Sequence, residues 1–142
     1  MRFFARLSLP SSALAGAGIA AGMLIVPASA AITPAIQISP SNQVPACVTP
    51  KRLMAFLKRR NKKLNKRFTP VAAAYQKHGR DLGVRWDYAF FQMIVETNYL
   101  KYKTGSGRWG DVKPKQNNFA GIGATGGGEP GESFKSIDKG VR

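Results

Sequence analysis

The spacing of apolar and polar positions predicts four helical segments, with one long irregular stretch between the third and the fourth. From Lys51 to Phe68, residues Leu53, Phe56, Leu57, Leu64 and Phe68 form an apolar stripe and basic residues cover the remainder, the pattern of an amphipathic helix. Thr49-Pro50 offers that helix an N-cap and a proline at its first position. Thr69-Pro70 repeats the signal, and Val71 to Gln76 continue as a short helix that Gly79 can end at C′. Gly83-Val84 then turns the chain into WDYAFFQMIVETN, Trp86 to Asn98, a helix capped by Asp87 and apolar on nearly every side, which predicts burial. Lys101 to Gln116 carries three glycines and a proline among Lys, Arg and Ser and reads as a loop. Asn117 to Ala124, apolar at alternate positions, reads as a short strand, Gly126 to Glu132 as a flexible turn, and Ser133-Phe134 as the approach to a final helix.

The central helix carries the chemistry. Within it Gln92 and Glu96 stand out as polar, and their i, i+4 spacing places amide and carboxylate on one face. A carboxylate among Phe, Ile, Val and Met is costly to ionise, so the expectation is a raised pKa and a group that holds a proton near neutral pH. The alternative is an acid at a helix end lying in solvent.

The N-terminus places a limit on where this helix works. Arg2 and Arg6 precede an uncharged run from Ala13 to Val26 and the small-residue site Pro27-Ala28-Ser29-Ala30, the pattern of a secretory signal peptide over 1–30 that is cleaved rather than retained as an anchor. Export to the periplasm, the cell wall or the medium follows. Residues 31–50 hold Pro34, Pro40, Pro45 and Pro50 and no charge, and read as an extended leader or linker. Two of the 22 Lys and Arg fall in 1–30, so the remainder has 20 basic residues against seven acidic ones, a formal charge of +13. An anionic partner is expected. The basic segment 51–68 has no acidic residue. It reads as a solvated face, a patch for polyanions, or an interfacial helix on acidic lipid. No aromatic residues alternate with its charges as base-stacking platforms, which argues against nucleic acid. Cys47 is the single cysteine, so neither an internal disulfide nor a cysteine-rich metal site is available. His78 suits the last turn of its helix as a cation on the dipole better than it suits catalysis. Trp109 is either a surface residue or a platform for a sugar ring. The glycines at 126–128 lack the Lys-Ser or Lys-Thr of a phosphate loop.

Several of these stretches together resemble a known family. Tyr75 with Gly79, Gly83-Val84, FFQMIVETNYL from Phe90 to Leu100, QNNFAGIGATGGG from Gln116 to Gly128, and GESF from Gly131 to Phe134 are similar to the glucosaminidase domain of bacterial cell-wall hydrolases, the mannosyl-glycoprotein endo-β-N-acetylglucosaminidase-like group. The resemblance covers roughly Thr69 to Arg142. It implies a mainly α, lysozyme-like domain with a short β-hairpin or loop after the central helix. By it Glu96 is the general acid, and Asn117, Asn118 and Phe119 form a wall of the glycan cleft opposite Glu96; Gln92, one turn before Glu96, is expected to orient Glu96 or a substrate amide. Against the family the chain stops short after Val141-Arg142, so the domain 69–142 is expected to be C-terminally incomplete.

Glycoside hydrolysis ordinarily uses two carboxylates, about 5 Å apart for retention and roughly 6.5–9.5 Å for inversion. The candidates are Asp111, Glu129, Glu132 and Asp138, and the hairpin position of the second acid in some relatives points to Glu129 or Glu132. The resulting expectation is an exported peptidoglycan hydrolase, an endo-β-N-acetylglucosaminidase without a cofactor, whose partners are glycan strands and, through Lys51 to Arg67, an anionic wall polymer or lipid surface. A non-catalytic wall-binding module or an inactive fragment is the second reading, and a lytic transglycosylase the third.

Overall fold

The computed structural model describes residues 35–142; residues 1–30, read above as a signal peptide, and the first residues of the leader lie outside the described residues. The described residues belong to one unit and are mainly helical. Helix α1 spans Pro50–Arg60, α2 Val71–Asp81, α3 Trp86–Glu96 and α4 Ile137–Val141, with single 3₁₀ turns at Lys66–Phe68 and Pro114–Gln116. Among the described residues there is no strand, only isolated bridges at Gln37 with Val84, Ser39 with Asn42 and Lys103 with Trp109. The stretch 117–124 is therefore a series of turns and not the expected strand. Its positive-φ residues, Asn117, Gly121 and Gly123, prevent an extended run.

The basic helix is shorter than the periodicity implies. Thr49 caps it, its hydroxyl accepting from the Arg52 N–H at 3.2 Å. It ends at Arg60 because Asn61 is drawn into the protein, its amide donating to the Tyr99 carbonyl at 2.9 Å. Leu53 and Leu57 are buried in the core, and Phe68 joins them from the 3₁₀ turn. The segment 51–68 thus packs into the same unit as the rest of the described residues. Part of the leader is docked as well. Ile38 N–H donates to Gly83 at 2.8 Å and Arg85 N–H to Ile36 at 2.7 Å, so residues 36–42 lie against the turn between α2 and α3.

Helix α2 starts without a side-chain cap, since the Thr69 hydroxyl donates to the Lys66 carbonyl instead. Gly79 does not end it. The helix runs on to Asp81, and a Cβ at Gly79 would stand 2.3 Å from the Trp86 Cβ, so glycine here permits the close approach of α2 and α3. Gly83, at φ +65°, takes the left-handed position past the helix end. Asp87 does not cap α3, whose N-cap is Arg85; it pairs with that arginine inside the protein.

Only one side of α3 is buried. Trp86, Phe90, Met93 and Ile94 enter the core with Val71, Ala72 and Tyr75 of α2. Phe91 is 41% and Val95 78% exposed. The expectation of burial on all sides fails because α2 covers one face of α3, while Val95 on another face stays in solvent and Phe91 meets only the Phe56 edge from α1. α4 closes against α2, with Ile137 and Val141 packed on the core and Asp138 bonded to His78.

Candidate active site

The last turn of α3 opens onto a cleft of about 770 Å³. Its walls are Ile94 to Tyr99, Tyr102 to Gly105, Gly110 to Val112, and Asn118 with Ala120, Gly121 and Ala124. Glu96 stands on this cleft and is exposed, the helix-end placement and not the buried one. Of its apolar neighbours, Phe90 and Met93 turn into the core, whereas Ile94 and Val95 line the cleft beside it.

The chain leaves α3 by an unusual path. Asn98, Tyr99, Leu100 and Tyr102 all have φ between 47° and 59°. Left-handed backbone in non-glycine residues requires strong local support. Thr97 supplies much of it. Its hydroxyl donates to the Met93 carbonyl at 2.7 Å and accepts from the Leu100 N–H at 2.9 Å, and its carbonyl accepts from Tyr102 at 2.8 Å. The Asn98 amide holds the Lys103 carbonyl at 2.7 Å. Tyr102 stacks on Phe68 at 6.2 Å, and its hydroxyl is buried with no hydrogen-bond partner. Burial pushes the pKa of that hydroxyl up, with the Arg67 charge pulling the other way.

The Asn-Asn-Phe motif builds the far wall more than it faces the cleft. Asn117 accepts from Arg67 and donates to the Phe134 carbonyl at 2.8 Å. Phe119 is buried edge-on to Phe68. Asn118 lines the cleft but is 1% exposed, and its amide is fully used. It donates to the carbonyls of Ile122 at 2.8 Å and Glu132 at 3.1 Å and accepts from the Ile122 N–H at 3.0 Å. Gln92 is exposed on α3 one turn before Glu96 and is not on the cleft.

Of the four candidate second acids, Asp111 lines the cleft with Glu96. Its carboxylate also accepts from the Gly128 N–H at 3.1 Å, fastening the glycine turn to this wall. Glu129 and Glu132 are exposed in the 126–132 segment, off the cleft lining; the Glu132 backbone instead pairs with Ile122. Asp138 sits on α4, where the His78 hydrogen bond, outweighing its desolvation and joined by Lys77, holds its carboxyl below the usual range. Among the described residues no group of three or more His, Cys, Asp or Glu is gathered that could hold a metal ion. Thr97, Tyr99, Tyr102 and Lys103 escape a reading of the sequence alone. The signal that marks them is the polar, aromatic run directly after an apolar helix that ends in an acid.

No known family profile matches the chain, and no solved structure matches it. A protein of Borreliella burgdorferi described as uncharacterized is 36% identical to this chain over 83 residues. The aligned stretch is 58% of this chain and 38% of that protein's length, so the chain spans well under half of its relative. Among the described residues no helix is long and apolar enough to cross a membrane.

Proposed function

We propose that the protein is an exported peptidoglycan hydrolase of the endo-β-N-acetylglucosaminidase type, with Glu96 as its general acid. The observation that carries this reading is a lone helix-end glutamate on an open cleft of about 770 Å³, a volume within the roughly 300–1,000 Å³ of ordinary ligand sites. A glycan strand in the cleft excludes water from the carboxylate, the condition in which a carboxylic acid keeps a proton to donate. Glu96 then protonates the departing glycosidic oxygen. The oxocarbenium charge that develops is met by Asp111 on the same cleft, or by the acetamido group of the substrate itself. Asp111 takes this role ahead of Glu129 and Glu132 because it already lines the cleft.

Glu96→Gln keeps shape and hydrogen bonding but has no proton to give. General acid catalysis contributes about 10²- to 10⁴-fold, so digestion of purified walls should fall by that factor while wall binding and thermal stability stay near the parent's. Unchanged digestion would remove Glu96 from the mechanism. Reducing N-acetylglucosamine ends in the products mark hydrolysis on that side, whereas anhydro-muramic ends mark transglycosylase chemistry. A second reading, a wall-binding module without turnover, is favoured by the basic surface. Lys51 to Arg67 carries nine Lys and Arg and no acid, and none of the described salt bridges engages it. A parent protein that binds walls and never cleaves them would establish that second reading.

A further inference from the structure

On the same cleft as the end of α3, the loop after the left-handed turn folds into a small hairpin. Lys103 and Trp109 face each other in an isolated antiparallel bridge, closed by Thr104 N–H to the Arg108 carbonyl at 2.8 Å and Gly110 N–H to the Tyr102 carbonyl at 3.0 Å. Directly opposed residues of an antiparallel pair send their side chains to the same face. Accordingly the Lys103 ammonium lies 4.9 Å from the centre of the Trp109 ring, and the Lys113 ammonium 5.9 Å from it. The two lysines differ in freedom. Lys113 donates to the Gly110 carbonyl at 2.6 Å, whereas Lys103 has no carboxylate partner among the described residues and itself lines the cleft. Trp109 is 55% exposed, unlike Trp86, which is 3% exposed in the core.

We propose that Trp109 and Lys103 form a sugar subsite at the cleft mouth that selects glycan units bearing a carboxylate. The inference rests on the cleft being a glycan site. An exposed indole offers a flat apolar face to the C–H side of a pyranose ring, and the hairpin fixes its position beside the cleft. Lys103 exchanges its contact with the ring for a salt bridge to the carboxylate, a stronger partner than the indole face for an ammonium. A neutral N-acetylglucosamine oligomer gains the stacking contact alone. A peptidoglycan strand, whose muramic units carry lactyl or peptide carboxylates, gains both.

The test uses full-length protein carrying Glu96→Gln, so that binding is read without turnover. Calorimetric titration compares an N-acetylglucosamine hexamer with a peptidoglycan glycan of the same length. Adding Lys103→Gln should weaken the peptidoglycan glycan by about fivefold, the upper end for an exposed ion pair, and leave the neutral hexamer unchanged. Adding Trp109→Ala should weaken both on the order of tenfold, with Trp109→Phe recovering most of the loss. An equal effect of Lys103→Gln on the two glycans overturns the charge selection. Unchanged binding in Trp109→Ala overturns the platform. Binding of neither glycan to the Glu96→Gln parent overturns the reading of the cleft itself, and the proposal with it.

Discussion

Replacing Asp87 with Ala tests how firmly the start of α3, and through it Glu96, is held. Both carboxylate oxygens of Asp87 accept from Arg85, at 2.8 Å from Nε and 2.6 Å from Nη2, and the two residues are 4% and 6% exposed. Arg85 also donates to Asn42 at 2.6 Å and lies 3.8 Å from the Tyr88 ring centre. Without the carboxylate a guanidinium remains inside the protein with only the Asn42 oxygen and an aromatic face. Breaking a buried pair from one side costs about 3–5 kcal/mol. At about 4 °C per kcal/mol for a domain near 100 residues, scanning calorimetry should record a midpoint lower by about 12–20 °C. The double variant Arg85→Met, Asp87→Leu removes both charges and should regain most of the loss. A fall of less than about 3 °C in Asp87→Ala would refute the reasoning, because a pair of that value behaves as if solvated. The pH dependence has a definite sign. Burial pushes the Asp87 carboxyl up, but the hydrogen bonds and charge of Arg85, with the N–H groups of Tyr88 and Asp87, outweigh it and hold the carboxyl below its usual range. The pair therefore contributes fully above the unfolded value of about 3.9 and is lost as pH falls from there through the folded value. Acid should destabilise the parent more steeply than the double variant below about pH 4.

Other perturbations probe the remaining contacts. Gly79→Ala drives a Cβ to 2.3 Å from that of Trp86 and should cost about 1–3 kcal/mol or more in urea unfolding; an unchanged midpoint would mean that α2 and α3 do not approach so closely. Thr97→Val keeps shape but leaves the Leu100 N–H unpaired, which should cost about 1–3 kcal/mol, and wall digestion should drop further than Leu57→Val, remote from the cleft, drops it at equal loss of stability. Replacing Lys58, Arg59, Arg60, Lys62 and Lys63 by Gln should give wall binding that no longer weakens with salt, at an unchanged unfolding midpoint because Leu53 and Leu57 are retained; retained low-salt affinity would make these charges a solvated face.

Periodicity identifies the helices because burying an apolar stripe is what chiefly holds α1 and α2 in place. It misjudges α3, since a helix apolar all round says nothing of how many neighbours exist to cover it, and Phe91 and Val95 remain outside. Helix ends are less legible for a different reason. Asn61 stops α1 through a bond to Tyr99, 38 positions along the chain, and Gly79 is set by the approach of Trp86. Neither leaves a local trace. The leader reads as an extended linker because prolines and amides without a periodic apolar pattern give no hydropathy signal, yet the backbone of Ile36 and Ile38 pairs with residues 83–85. At the site, Glu96 is visible from its isolation in an apolar run. Asn118 is visible as a residue but not as a saturated one, because its three hydrogen bonds all go to backbone that only the turns bring within reach.

The left-handed run beside Glu96 explains why there is a cleft at all. Had α3 continued as a regular helix, residues 97–103 would advance about 1.5 Å each along its axis and carry the chain away from the glutamate. Instead Asn98, Tyr99 and Leu100 reverse the backbone, and Lys103 to Gly105 return to line the same cleft as Glu96. Each such residue costs on the order of 1–3 kcal/mol, so the path persists only where its surroundings over-determine it. Leu100 and Tyr102 are anchored in the core, Asn61 holds the Tyr99 carbonyl, and the Thr97 hydroxyl bridges the helix to the turn. Because Leu100 and Tyr102 are fixed in the core, the reversal that follows Glu96 is a property of the packed domain.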